Sequence, residues 1–291
     1  MVNKLLLLLV FFVPTWALAA TAPSPQDTQL QLKTIDDLKD KKIGVLLGSA
    51  HDSYATKHFP NAQILQFKSP ADVLLAVKTS KVDAALYDAE PLREVFRQDD
   101  TLALLGESLF SFDVGVGFSK NNQALKQQFD SFLSQIKANG VYDDMVKRWM
   151  TNGETDMPAI NAPTKNGILK VGVSDAGLPF TIVKDNQLVG FDIELAQRFA
   201  AAQGKEIQFL NMEFGSLIAA VSSGKADMIA SAIYVTDERK KQIAFSQPYF
   251  EMATRVFTLK QNVAVTPQTG AEKSGTENPS HLLSTLADLK D

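Results

Sequence analysis

The side chain best suited to chemistry in this chain is Arg239, in the run Thr236-Asp237-Glu238-Arg239. Thr236 reads as a helix N-cap, which puts Arg239 in the first helical turn, where unbonded N–H groups and the helix dipole favour an anion. A guanidinium is a planar fork of donors that fits a carboxylate. A surface arginine in a charged turn fits the same window. Two other places share the required geometry. Gly48-Ser49 follows the apolar run Ile43–Leu47 and precedes a helix, so its N–H groups and hydroxyl are placed to cap a carboxylate. Asp88 follows the run Val82–Tyr87 at the same edge of a sheet, the edge at which open α/β sheets bind ligands. An acidic helix cap is the plainer reading of Asp88.

The elements that must hold these residues alternate short apolar runs with amphipathic stretches, the rhythm of β-α-β units and a parallel sheet. Ser69 as N-cap and Pro70 at the first helical position start one helix, with Val73, Leu74 and Val77 on its apolar face. A strand is expected over 112–118. Helices follow from Leu125 to Met150, broken at Gly140. A second β-α-β run has strands at Leu169–Val173, Ile207–Asn211 and Ala226–Ser231, and helices at Asp192–Gln203 and Gly215–Ser223. Thr34–Asp40 recurs at the end of the chain as Thr285–Asp291, with five of the seven positions identical.

The chain has 291 residues, of which 45% are hydrophobic and 21% charged, enough for two lobes that each bury a core. A net charge of −4 gives no basic field for nucleic acid. The three histidines, His51, His58 and His281, stand in no metal-binding spacing, and no cofactor is called for. Lys4, the apolar run Leu5–Val13 and the small residues Ala17–Ala20 read as a cleaved export signal, too short and too broken by Pro14 to span a bilayer. With no cysteine there is no disulfide and no lipid-modified anchor, so a free periplasmic protein is expected.

Residues Gly224–Arg239 with Phe245-Ser246-Gln247-Pro248-Tyr249, preceded by Pro179-Phe180 and Val189–Ala196, resemble the first lobe of the family 3 extracellular solute-binding proteins, the amino-acid receptors of ABC importers. Leu38–Ser49, Lys81–Asp88, Gly115–Phe118 and Asn139–Trp149 resemble the second lobe and closing helices of the same family. The resemblance implies an α/β, two-lobed clamshell of periplasmic-binding-protein type II, each lobe a mostly parallel sheet flanked by helices. The order is permuted: signal peptide 1–20, second-lobe-like domain 33–112, closing strand and helices 113–150 packing on the first lobe, linker 151–167, first-lobe-like domain 168–262, then a polar loop and the start of a second-lobe repeat over 263–291. A circular permutation folding as one clamshell, a piece of a tandem array and a domain-swapped pair all fit this order; the single clamshell is preferred, since the linker can join termini on one lobe.

The resemblance also implies roles. Arg239 takes the carboxylate of a small amino acid and Asp88 its ammonium. Ser231, Ala232 and Tyr234 fall on ligand-lining positions, where Tyr234 replaces a small polar residue. Gly177 stands where the family carries a stacking aromatic, which leaves Phe180 and Phe214 as candidate walls of the pocket, plain core being the commoner reading of either. Import would require a membrane permease as partner. A sensory module or a dehydratase-like enzyme on the same fold are the alternatives; binding without catalysis is the expectation.

Overall fold

Two stretches of alternating burial, 42–88 and 168–229, each build the heart of a five-stranded sheet. The computed structural model describes residues 30–160 and 165–264; the export signal, His281 and the second copy of the Thr34–Asp40 motif lie outside them. In chain order the elements are β1 Lys42–Leu46, α1 Ala50–His58, β2 Gln63–Phe67, α2 Pro70–Lys78, β3 Ala84–Asp88, α3 Ala89–Gln98, β4 Leu102–Val114, β5 Gly117–Phe118, α4 Gln123–Ala138, α5 Val141–Val146, β6 Ile168–Val173, β7 Ile182–Lys184, β8 Gln187–Val189, α6 Phe191–Ala202, β9 Glu206–Asn211, α7 Leu217–Ser222, β10 Met228–Ile229, α8 Asp237–Lys240, β11 Ala244–Phe245 and β12 Phe250–Leu259. Among the described residues no helix is long and apolar enough to cross a membrane.

One lobe is built on the sheet β2-β1-β3-β12-β4 and the other on β11-β5-β10-β6-β9. Four strands of each sheet run one way and one runs against them. The exceptions are β12 in the first sheet and β5 in the second, and each arrives from the other lobe. This corrects two expectations. The expected strand over 112–118 is the end of β4 and the start of β5, parted at Gly115-Val116, where the chain changes sheets. Residues 250–259, expected in the first-lobe-like domain, are β12, hydrogen-bonded between β3 and β4 of the opposite lobe. β12 is buried on both faces, Val256 in one core cluster of that lobe and Phe257 in another, as suits an interior strand of the sheet.

The two crossings run side by side. Ser246 donates its N–H to Val116 O, Val116 donates its N–H to Ser246 Oγ, and Tyr249 donates its N–H to Val114 O. Both faces of each sheet are covered. Helices α4 and α6 close one face of the β6 lobe around Phe118, Phe129, Phe199 and Trp149, while Leu217, Val221 and Ile243 close the other. In the β1 lobe, α2 packs through Val73, Ala76 and Val77, with Ser69 accepting the Asp72 N–H as its cap and Pro70 at its first turn. The closing helices are bolted to α6 by a buried carboxylate: Glu194 accepts from Arg148 Nη2 at 2.6 Å, Trp149 Nε1 at 2.6 Å and Arg198 Nε at 2.7 Å.

Candidate functional site

Helix α8 has four residues, and its N-cap Thr236 accepts the N–H of Arg239 at 3.3 Å. The cap turns the arginine inward, where it is 7% exposed. Its Nη1 donates to Tyr234 O at 3.0 Å, its Nη2 crosses to Gly48 O in the other lobe at 3.2 Å, and its guanidinium lies 5.4 Å from the Phe214 ring centre. Among the described residues no carboxylate lies within ion-pair distance of this guanidinium. Burial lowers its pKa to about 10, so it is a cation at neutral pH. A buried guanidinium bonded to carbonyls keeps its positive charge in a setting of low polarity.

Opposite it, Asp88 ends β3 at the N-terminus of α3 without capping that helix. Its carboxylate instead accepts the hydroxyl of Tyr234 from the other lobe, and His51 Nε2 stands 3.0 Å from the same oxygen. Burial, then the charge of Asp88, pushes the Tyr234 hydroxyl pKa upward, so the phenol stays a proton donor.

Of the residues expected at the site, Ser49, Asp88, Ser231, Ala232, Tyr234 and Arg239 line one cleft between the lobes, and Gly48 adds its carbonyl. Three expectations change in detail. The N–H groups of Gly48 and Ser49 are already given to Asp52 Oδ2 and Leu46 O, and Ser49 Oγ caps α1 by accepting from Asp52. The unspent donors at this corner are the N–H groups of Ala50 and His51, the first two of α1. Ser231 Oγ is held by Ser174, as donor to its carbonyl and acceptor from its N–H, so the serine offers the cleft mainly backbone. Phe180 does not reach the cleft. It is fully buried in the core of the β6 lobe between the rings of Phe191 and Phe250. Its backbone is pressed onto Gly190, where a Cβ would stand 2.0 Å from Phe180 O, and this draws the ring inward. Phe214, the other expected wall, lies at the cleft under Arg239.

His51 is one of the three histidines whose spacing fits no metal site. It is 3% exposed, faces Tyr87, Phe110 and Tyr234, and its Nδ1 has no hydrogen-bond partner. Its place in the first turn after Ser49 was the available signal. The closure is tight: a Cβ on Gly48, whose φ is +74°, would meet Gly215 Cα of the other lobe at 3.1 Å. The floor of the cleft carries strain, since Ala232 has φ +43° and is held by its N–H to Asp192 Oδ2 at 2.6 Å. Asp192 also accepts from Tyr249 at 2.6 Å.

Burial pushes the Asp192 carboxyl up to about 7, and burial again, reinforced by the charge of Asp88, pushes Glu90 up to about 7. An acid whose pKa is higher in the folded state binds more protons there, so its contribution to stability is present at low pH and is lost as pH rises through about 7. The lowered carboxylates, such as Asp99 at about 2, act below this window. The denaturation midpoint is therefore expected to fall between pH 5 and pH 8, and Glu90→Gln to flatten that fall; a midpoint rising over this range contradicts the assignment.

The described residues thus form two α/β lobes, with Arg239 and Asp88 on one cleft between them. The chain matches the bacterial extracellular solute-binding proteins, family 3, over residues 169–287. It is 39% identical over 111 residues to a probable histidine-binding protein of Campylobacter jejuni, covering 38% of this chain and 43% of that one. It is 36% identical over 120 residues to an arginine-binding extracellular protein of Bacillus subtilis, covering 40% and 47%. Among solved structures, the arginine-bound form of domain 1 from TmArgBP is 36% identical, covers 36% of this chain and 89% of that one, and has a TM-score of 0.29. The chain spans about half the length of the curated relatives it matches.

Proposed function

We propose that this chain is an exported receptor for a small α-amino acid, delivering it in the periplasm to the permease of an ABC importer. The observation that carries the reading is the presence, in one cleft, of a buried Arg239 with no carboxylate of the described residues at ion-pair distance and of Asp88 from the opposite lobe. Arg239 and the free N–H groups at the start of α1 take the carboxylate; Asp88 takes the ammonium. A ligand that touches both lobes binds the closed form better than the open one and shifts the population toward it. The paired crossings at Val116 and Ser246 are the natural hinge for that motion. The named relatives favour histidine and arginine as first candidates.

A thermal-shift screen of the twenty common amino acids tests the reading. A true ligand at a hundred times its Kd adds about 2.7 kcal/mol to the folded state. For a chain of this size that is a rise of roughly 5–10 °C in Tm. No rise with any of the twenty at millimolar concentration removes the receptor reading.

A further inference from the structure

The two lobes meet across the cleft, and one residue answers both charges that face it there. The Tyr234 hydroxyl donates to Asp88, and the Tyr234 carbonyl accepts from Arg239 Nη1 at 3.0 Å. The residue thus answers the anion on one side and the cation on the other. Its ring is packed against Phe112, with centroids 5.5 Å apart, and edge-on to His51 at 5.8 Å. Only 3% of Tyr234 is exposed. The free space left among these groups is about 20 Å³, room for about one water and not for an amino acid. Arg239 to Gly48 and Tyr87 to Ala176 O at 2.9 Å add further bonds between the lobes.

We propose that Tyr234 is a tethered occupant of the site: it latches the lobes shut through Asp88 when no ligand is present, and a ligand binds by displacing it. The ligand side of this statement rests on the receptor reading above; the latch itself does not. Displacement sets a selection. An ammonium brings a full charge and three donors to Asp88 where the phenol brings one neutral donor, so an α-amino acid replaces it. A carboxylic acid without the amino group leaves Asp88 better served by Tyr234 and is excluded. The apparent affinity is lowered by the fraction of molecules in which the phenol has left, so removing the hydroxyl should tighten binding.

The chain has no cysteine, so spin labels at Leu75→Cys and Val183→Cys, exposed positions on α2 and β7 of the two lobes, report the distance between them without background. Without ligand the parent should give a short, narrow distance distribution, and Tyr234→Phe a longer and broader one. Tyr234→Ser serves the same readout should the phenylalanine variant keep the cleft shut by packing alone, and circular dichroism checks that both are folded. In calorimetry, Tyr234→Phe is expected to bind the amino acid found in the screen at least tenfold more tightly. Identical distance distributions for the parent and both variants overturn the latch, whatever happens to affinity. If the distances lengthen but neither parent nor variants bind any of the twenty amino acids, the latch stands and the receptor reading falls.

Discussion

Arg239→Ala is expected to weaken amino-acid binding by a hundredfold or more, the largest functional effect of any single substitution in the cleft. The reason is what surrounds the guanidinium. It is buried, it bonds to two carbonyls, and no carboxylate of the described residues neutralises it. A ligand carboxylate entering here loses its water and receives a charged, forked donor in return. Without the arginine the carboxylate is desolvated with no cation beside it, and losing one partner of such a pair costs about 2–5 kcal/mol or more. At about 1.4 kcal/mol per factor of ten, the middle of that range gives the hundredfold. Arg239→Lys should recover part of the loss, since it keeps the charge but not the fork or the stacking on Phe214. Calorimetric titration of both variants, with their folds checked by circular dichroism, decides the matter: an unchanged Kd for Arg239→Ala would mean the ligand carboxylate sits elsewhere.

Glu194→Ala should be the most damaging substitution outside the cleft, lowering stability by about 3–5 kcal/mol. The carboxylate is completely buried and holds three donors from three residues, two of them in the last turn of the closing helices. Alanine leaves the indole N–H of Trp149 without an acceptor in a dry core and strips the buried side of Arg148 of its anion. It also leaves a cavity where packing was complete. For a folded part of this size the loss corresponds to roughly 6–20 °C in Tm. Glu194→Gln preserves the shape and one acceptor and is expected to lose less. Thermal unfolding followed by Trp149 fluorescence measures both, and an alanine variant that melts with the parent would show the cluster to be ornamental.

Local signals in the sequence were enough wherever one short segment settles its own structure. Ser69-Pro70 start α2, Thr236 caps the turn that carries Arg239, and Gly140 ends α4 in a left-handed conformation. The same kind of signal located both charges of the cleft, because each sits at the end of a strand or the start of a helix. Other features depend on partners far away in the chain. The thirteen residues of β4 do not alternate cleanly, and their main partner, β12, lies about 140 residues further on. The burial of His51 comes from the approach of Tyr234 across the cleft, a contact that no window around His51 contains. Phe180 goes to the core because its ring packs against Phe191 and Phe250, residues 11 and 70 positions further along the chain.

The exchange of strands between the two sheets bears on how such a chain comes into being. While β12 is still inside the ribosome, β3 and β4 flank an empty slot, and both present unpaired backbone to any passing strand. The β1 lobe cannot finish its sheet until residues 250–259 have been made, whereas every strand of the β6 lobe's sheet precedes residue 246.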